Sequence, residues 1–105
     1  MSGQWVDIGA ADAVREGAPL EAEVGGEPVL VVRCGSELYA VEDRCTHDGE
    51  TLGGALIEDC EVTCPRHGAR FCLRSGEVLS PPAYEPLRTY AVREAGGRLL
   101  IELPA

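Results

Sequence analysis

Two short arms of Cys and His constrain the fold of this chain more than any other feature of its sequence. The first arm is Cys45-Thr46-His47, and the second, Cys64-Pro65-Arg66-His67, follows after sixteen intervening residues. Each arm offers one soft sulfur ligand and one borderline nitrogen ligand, a combination that is typical of metal sites. If both arms bind one metal centre, the fold must bring two separate loops together. We therefore expect a metal site formed by Cys45, His47, Cys64 and His67.

The remainder of the sequence predicts an all-β framework with antiparallel sheets. Thirteen glycines and seven prolines are spread over 105 residues and interrupt any long helical period, so that only a single helical turn is expected, at Ala10–Arg15. Apolar runs and period-two alternation between turn residues indicate strands. The predicted strands are Trp5–Ile8, Leu20–Val24, Pro28–Cys34, Leu38–Glu42, Glu61–Cys64 and Arg70–Leu73, followed by a C-terminal hairpin with apolar residues at Tyr90, Val92, Leu99, Ile101 and Leu103.

The length of the chain fits one domain, and the distribution of strand and loop signals divides that domain into two parts. Strand patterns dominate before the first arm and after the second, whereas turn formers and ligand-type residues crowd the middle. We expect a single domain over residues 1–105. Its antiparallel β-sheet base would comprise residues 1–42 and 83–105, and a smaller metal-binding part would comprise residues 43–82.

The net charge and the lengths of the apolar runs indicate where the protein is located and which classes of partner it does not bind. A net charge of −9 disfavours binding to nucleic acid or to an anionic membrane surface. No apolar run approaches the roughly 20 residues of a membrane helix, and the first residues lack the basic and apolar regions of a signal peptide. These features predict a cytoplasmic protein, in which clustered cysteines indicate a metal or redox site.

Two kinds of metal centre accept two cysteines and two histidines. Tetrahedral zinc is one, but its motifs usually pair like ligands, as Cys-x₂₋₄-Cys and His-x₃₋₅-His. The other is a [2Fe–2S] cluster with two cysteines on one iron and two histidines on the other. Because each arm here mixes its ligands, each can give its Cys to one iron and its His to the other. The pattern favours the cluster, and zinc stays open as the alternative.

The two arms and the segments after them resemble the Rieske [2Fe–2S] domain family. Cys45-Thr46-His47 and Cys64-Pro65-Arg66-His67-Gly68 match its ligand motifs, and residues 70–78, 82–83 and 87–92 are similar to stand-alone Rieske-type ferredoxins. The resemblance implies a Rieske fold and one [2Fe–2S] cluster. It also implies the ligand assignment: Cys45 and Cys64 on the buried iron, His47 and His67 on the outer one.

The resemblance further implies a soluble one-electron carrier with no catalytic site of its own. Such a ferredoxin passes electrons from an NAD(P)H-dependent ferredoxin reductase to a terminal oxygenase, often a dioxygenase, through contacts that are small and short-lived. Two alternatives remain at this point. One is the Rieske-like small subunit of a nitrite reductase-type enzyme, and the other is a redox-sensing or iron–sulfur accessory module.

The chain departs from the respiratory members of the family at four positions. Glu50 and Arg66 occupy the places of two cysteines that form a disulfide in those proteins, so that this disulfide cannot form here. Ala69 and Phe71 occupy the places of a Ser and a Tyr that donate hydrogen bonds to the cluster sulfurs. Because fewer donors stabilise the reduced cluster less, we expect a reduction potential of about −150 mV, near the low end of the Rieske range.

Three cysteines fall outside the two arms. Cys34 ends a buried-looking strand and is expected to be a packing residue. Cys60 follows two acidic residues at a turn and is expected to be an exposed thiol, while Cys72 is expected to pack beneath the cluster. None of the three fits the geometry of the two arms, and none is a candidate ligand.

Overall fold

The computed structural model describes residues 4–15, 18–45, 51–52, 55–64, 68–81 and 85–102. Within these ranges the chain forms eleven strands and one 3₁₀ turn, Ala11–Ala13, which confirms the all-β prediction. The strands are β1 Trp5–Ala10, β2 Leu20–Val24, β3 Glu27–Cys34, β4 Glu37–Glu42, β5 Leu56–Glu58, β6 Glu61–Thr63, β7 Arg70–Cys72, β8 Val78–Ser80, β9 Thr89–Tyr90, β10 Val92–Ala95 and β11 Arg98–Glu102.

The strands form three antiparallel sheets with the orders β1-β11-β10, β2-β3-β4-β9 and β5-β6-β7-β8. Tight turns set the register of the long hairpins. Gly25 and Gly26, between β2 and β3, both have positive φ values, 60° and 83°, as a two-residue type I′ turn requires. Strand β2 has the predicted bounds, Leu20–Val24. Every second residue of it is more deeply buried, as its period-two pattern indicates.

Strand β3 is buried on both faces and separates two cores. Leu30 and Val32 point into one core together with Cys45 and Cys64, and we call this the arm core. The second, the base core, contains Val29 and Val31 of β3 and residues of the 3₁₀ turn, β9 and β11. The sheet that contains β3 therefore lies between the other two sheets. Burial on both faces explains the unbroken apolar run of this strand.

The sheet β5-β6-β7-β8 is more regular than the sequence indicated. Only β6 and β7 were predicted, whereas β5 and β8 complete a four-stranded sheet. Strand β5 has three residues, and its first, Leu56, is 58% exposed, so that it carries no clear period-two signal. Pairing with β6 across a two-residue turn makes it a strand. All four strands lie between residues 43 and 82, and the division into base and inserted part stays a prediction.

Most other predicted strands differ from the observed ones by one or two residues at their ends. Leu103, the last apolar residue of the predicted C-terminal hairpin, lies outside the described residues. In the described ranges, no helix has the length and the apolar character that crossing a membrane needs.

Gly76 joins the third sheet to the segment that leads into β9. Its carbonyl accepts a hydrogen bond from the N–H of Leu87 at 2.8 Å, and its own N–H donates to the carbonyl of Cys72 at 2.7 Å. Leu87 is buried in the arm core. A Cβ atom on Gly76 would overlap the carbonyl oxygen of Leu87, which is fixed backbone. This close approach requires glycine.

We expect Gly76→Ala to destabilise the protein more than Gly97→Ala. Both glycines have φ of +78°, so each substitution carries a similar backbone strain of about 1–2 kcal/mol. Only Gly76 has a steric conflict, because a Cβ on Gly97 meets nothing within 4 Å. The steric conflict should add about 2 kcal/mol to the loss for Gly76→Ala. Urea unfolding of both variants measures the difference, and equal losses would contradict the close approach.

Candidate metal centre

The second arm is the loop of the β6–β7 hairpin. Thr63 and Arg70 are the last paired residues of that hairpin, and Cys64 follows directly after β6. The N–H of Cys64 donates to the carbonyl of Ala69 at 2.8 Å, and the N–H of Gly68 donates to the carbonyl of Cys64 at 3.0 Å. Gly68 has a φ of 76°, which closes the loop. These bonds fix the backbone of Cys64 from both ends of the loop.

The first arm leaves the end of β4, where the backbone is held from two sides. The N–H of Glu42 donates to the carbonyl of Arg88 at 2.8 Å, and the Glu42 carboxylate accepts from the N–H of Arg88 at 2.7 Å. The N–H of the next residue, Asp43, donates to the carbonyl of Pro28 at 2.9 Å. Cys45, two residues later, is therefore anchored to β3 and to the segment before β9.

Asp43 closes the first arm into a loop. Its Oδ1 atom accepts hydrogen bonds from the N–H of Leu52 at 2.8 Å and from the hydroxyl of Thr51 at 2.9 Å. Among the described residues, Asp43 is the one buried charged side chain, with 6% of its surface exposed. Since burying a carboxylate is costly unless hydrogen bonds compensate, its position indicates a structural task. That task is to join the two ends of the segment that carries Cys45 and His47.

Sequence reasoning missed Asp43 because the signal is burial, which the sequence does not display. The chain has 18 acidic residues, and none of the local patterns around Asp43 separates it from the others. A carboxylate that precedes a ligand motif by two residues can equally be a solvated surface charge. Only the contacts with residues 51 and 52 distinguish the two cases.

A second carboxylate, that of Glu21, lies beside the same hydroxyl. Thr51 Oγ1 is 3.1 Å from Glu21 Oε1 and 2.9 Å from Asp43 Oδ1, and its single proton serves one acceptor at a time. We assign that proton to Asp43, which is nearer and more deeply buried. A hydrogen bond with the Asp43 carboxylate raises the pKa of Glu21. Glu21 therefore keeps its proton to a higher pH than an ordinary surface glutamate.

The cysteines of the two arms lie in the same apolar cluster. Cys45 and Cys64 are 0% and 1% exposed, belong to the arm core, and take no part in a disulfide. Two thiols brought from separate loops into one apolar site suit a metal centre, because a thiolate there needs a cation beside it. This donor set fits the sulfur ligands of an iron–sulfur cluster. His47 and His67 lie outside the described residues, so the four-residue ligand set stays a prediction.

The two positions at which respiratory members of the family have a Ser and a Tyr also lie in this cluster. Ala69 and Phe71 are both fully buried in the arm core together with Cys64. Glu50 and Arg66, which replace the cysteines of the respiratory type, lie outside the described residues. Neither Ala69 nor Phe71 thus offers a hydroxyl donor in the cluster that contains Cys64.

The predictions for Cys34 and Cys60 are wrong. The two residues form a disulfide with their Cα atoms 5.7 Å apart, and Cys60 is 5% exposed. Sequence reasoning missed the pair because 26 positions separate the residues and no local pattern links them. Cys72 is half-buried, and a hydrogen bond with the Ser75 side chain lowers the pKa of its thiol.

A cavity of about 490 Å³ opens beside the start of the first arm. Its lining contains two guanidinium groups, of Arg44 and Arg88, and two carboxylates, of Glu42 and Glu85. Because these charges balance, the cavity has no clear preference for an anion or a cation. It therefore indicates no separate binding site.

Comparison with known proteins gives consistent matches. The family model described as Rieske [2Fe-2S] domain matches residues 4–91. The ferredoxin subunit of 3-phenylpropionate/cinnamic acid dioxygenase from Escherichia coli (strain K12) is 42% identical over 93 residues, which are 87% of this chain and 86% of that protein.

Two solved structures have the same fold as this chain. The ferredoxin of carbazole 1,9a-dioxygenase from Nocardioides aromaticivorans IC177 superimposes with a TM-score of 0.88 at 31% identity, over 94% of this chain and 97% of that one. A complex of reduced oxygenase and oxidized ferredoxin in carbazole 1,9a-dioxygenase contains a chain that matches with a TM-score of 0.85 at 30% identity. That match covers 93% of this chain and 92% of the other.

We expect Asp43→Ala to reduce the amount of metal that the chain retains, whereas Asp43→Asn should retain it. The Asn side chain keeps an oxygen acceptor for Leu52 and Thr51, and alanine leaves the N–H of Leu52 without its acceptor. An unsatisfied buried donor costs about 1–3 kcal/mol. Metal content per chain and the free energy of unfolding measure the two effects.

Glu21→Ala is the matched control for these variants. Glu21 approaches the same hydroxyl and hydrogen-bonds with the Asp43 carboxylate, but it is exposed and has no contact with Leu52 among the described hydrogen bonds, so its removal leaves the bond that closes the loop. It should retain the metal content of the unmodified chain. If Asp43→Ala and Asp43→Asn hold equal amounts of metal, the loop-closing role assigned to Asp43 is wrong.

Proposed function

The chain belongs to the Rieske [2Fe–2S] domain family, and we propose that it is the electron-carrying ferredoxin of a multi-component oxygenase. The observation that carries the proposal is similarity over more than four-fifths of a dioxygenase ferredoxin subunit, at 42% identity. The match to the ferredoxin of a second dioxygenase, at a TM-score of 0.88, supports the same role. The chain would accept one electron at a time from a reductase and deliver it to the oxygenase.

Cys45 and Cys64 would hold one iron of the [2Fe–2S] cluster, and His47 and His67 would hold the other. The burial of both cysteines in the arm core supports the sulfur half of this assignment. When bound, a Rieske-type cluster supplies a one-electron redox couple. The inserted part that carries these ligands would comprise residues 43–82, and the base residues 1–42 and 83–105.

The residues of the arm core exclude water from the two cysteines. Leu52, Val62, Phe71 and Leu87 are each at most 3% exposed and belong to the same cluster as the sulfur ligands. A dry, rigid surrounding strengthens electrostatic interactions with the site and limits its rearrangement when the charge changes. The hairpin bonds of Cys64 and the bond between Asp43 and Leu52 would hold Cys64 and the described ends of the first loop in position during turnover.

The partners would be an NAD(P)H-dependent ferredoxin reductase and a terminal oxygenase. A solved complex of oxygenase and ferredoxin, in a related dioxygenase, supports the second partner. The net charge of −9 suits docking to basic surfaces on both partners, with contacts that form and dissociate rapidly. The chain would act in the cytoplasm, and substrate oxidation would take place on the oxygenase and not on this chain. The relatives favour this role over the nitrite reductase-type subunit and over an accessory module.

We expect the ligand set to determine the colour and the EPR spectrum of the protein. Cys45→Ser and His47→Ala should each abolish the signal of the reduced Rieske-type centre, because each removes one predicted ligand. Cys72→Ser is the matched control, since Cys72 is a thiol outside the arm core and should leave the spectrum unchanged. A folded, colourless protein that contains only zinc would refute the cluster assignment.

We also expect electron delivery to the oxygenase to slow as ionic strength rises. Stopped-flow mixing of the reduced protein with the terminal oxygenase of a related dioxygenase measures the rate. Since an acidic carrier is steered to its partner by long-range charge, the second-order rate should fall by about tenfold or more between low and high salt. A carrier that exchanges no electrons with any such oxygenase or reductase would contradict the proposed role.

A further inference from the structure

We propose that Cys34 and Cys60 form a reversible thiol–disulfide clasp between two sheets. It would hold β5-β6-β7-β8, which we call the metal-binding sheet, to β2-β3-β4-β9, which we call the central sheet. Cys34 is the last residue of β3, in the sheet β2-β3-β4-β9. Cys60 lies in the turn between β5 and β6, in the sheet β5-β6-β7-β8. The disulfide therefore connects two different sheets across 26 positions of the sequence.

The turn at Cys60 has a backbone conformation that would ordinarily select glycine. Asp59 and Cys60 have φ values of 52° and 59°, the left-handed region in which asparagine, aspartate and glycine are the usual residues. Aspartate at the first position follows this preference, but cysteine at the second does not. A cysteine in such a strained position indicates that its thiol is needed there.

The turn is also fixed against its neighbours, so that the two sulfur atoms meet without a large rearrangement. The carbonyl of Cys60 accepts a hydrogen bond from the N–H of Leu73 at 2.9 Å. Glu58 and Glu61, on either side of the turn, are paired in the β5–β6 ladder. Cys34 is held in the β3–β4 ladder opposite Glu37. The Cα separation of 5.7 Å lies in the range that a disulfide needs.

The clasp lies close in structure to the second metal-binding arm. Strand β6 connects Cys60 directly to Cys64, and its central residue, Val62, packs in the arm core with Cys64. Cys34 ends the strand whose residues Leu30 and Val32 form the opposite wall of that core. A covalent bond between the two walls should therefore hold the arm core closed. Opening the bond leaves only non-covalent packing to hold the two walls together.

The reaction is an exchange with a small-molecule disulfide such as oxidised glutathione. The thiolate of Cys34, the more exposed of the pair, attacks the external disulfide, forms a mixed disulfide and releases one thiol. The thiolate of Cys60 then attacks the sulfur of Cys34 and releases the second thiol. Two electrons pass from the protein to the external disulfide, and two protons leave the cysteines. An excess of small-molecule thiol reverses both steps.

The direction of this exchange follows the surrounding thiol pool. In a reducing cytoplasm the surrounding thiol pool favours the open, dithiol form of the pair. An oxidising shift closes the clasp and ties the metal-binding sheet to the central sheet. The protein would then retain its cluster more firmly under the conditions that most endanger an iron–sulfur centre.

The first experiment measures the clasp without reference to the cluster. The full chain is equilibrated anaerobically in glutathione buffers of graded ratio, trapped with iodoacetamide and analysed by peptide mass spectrometry. Cys34 and Cys60 should lose their labels together, with one shared midpoint, and appear as a disulfide-linked peptide pair, while Cys72 should appear only as the labelled thiol or as a mixed disulfide with glutathione. Cys34→Ser should abolish the linked pair in every buffer. Independent behaviour of the two cysteines, or full labelling in the most oxidising buffer, would overturn the proposal.

The second experiment measures cluster retention and rests on the proposed function. The holoprotein is prepared with the Cys34–Cys60 pair either as a disulfide or as two thiols. Each form is mixed with excess iron chelator, and the loss of visible absorbance is followed over time. The closed form should release iron about tenfold more slowly, well within the stabilisation typical of a disulfide that closes a loop of this length. Cys34→Ser and Cys60→Ser should release iron at the fast rate in both conditions, whereas Cys72→Ser should behave as the unmodified chain.

The outcomes of the two experiments distinguish a failure of the proposed clasp from a failure of the proposed function. Equal release rates for the closed and open forms would overturn the role of the clasp in metal retention. A protein that is colourless in both redox states would overturn the proposed function, while the labelling experiment would still decide whether the clasp forms.

Discussion

Burial of β3 on both faces is the constraint on which the rest of this structure depends. Alternate residues of one strand supply the base core and the arm core, so the two cores share a common wall. A small chain can bury only a modest core, and here part of that core consists of Cys45 and Cys64, the predicted sulfur ligands. Stability of the fold and order of the metal site are consequently coupled, since the packing that surrounds Cys45 and Cys64 also holds the sheets together.

The two arms achieve their positions by different physical means. The second arm lies between β6 and β7, and the backbone ladder of these two strands fixes its described ends. The first arm depends on a single buried carboxylate, that of Asp43, which replaces the missing ladder with hydrogen bonds to a hydroxyl and an N–H. Burying this carboxylate costs free energy, and its hydrogen bonds in return hold together the ends of the loop between Asp43 and Leu52.

The parts of the structure that the sequence predicts are those with a local signal. Strand β2 has period-two alternation, β3 has an unbroken apolar run, and each arm has its own ligand spacing, so these were accessible from the residues alone. Strand β5 was missed because three residues, one of them an exposed leucine, carry no periodicity. Asp43 and the Cys34–Cys60 pair were missed because burial and contacts between distant residues decide their roles. His47 and His67 rest on the ligand pattern, which the described residues do not reach.

The different construction of the arms has a consequence for how this fold can be altered. The ladder on either side of the second arm pairs Thr63 with Arg70 and Val62 with Phe71. Moving that register by one residue would exchange the buried and exposed faces of β7 and carry Phe71 out of the core. Substitutions in the second arm outside its predicted ligands, Cys64 and His67, therefore leave the ladder intact when the length of the loop is kept. The loop that Asp43 closes is bounded by side-chain hydrogen bonds and not by a ladder, so an insertion there that keeps the spacing of Cys45 and His47 shifts no strand register.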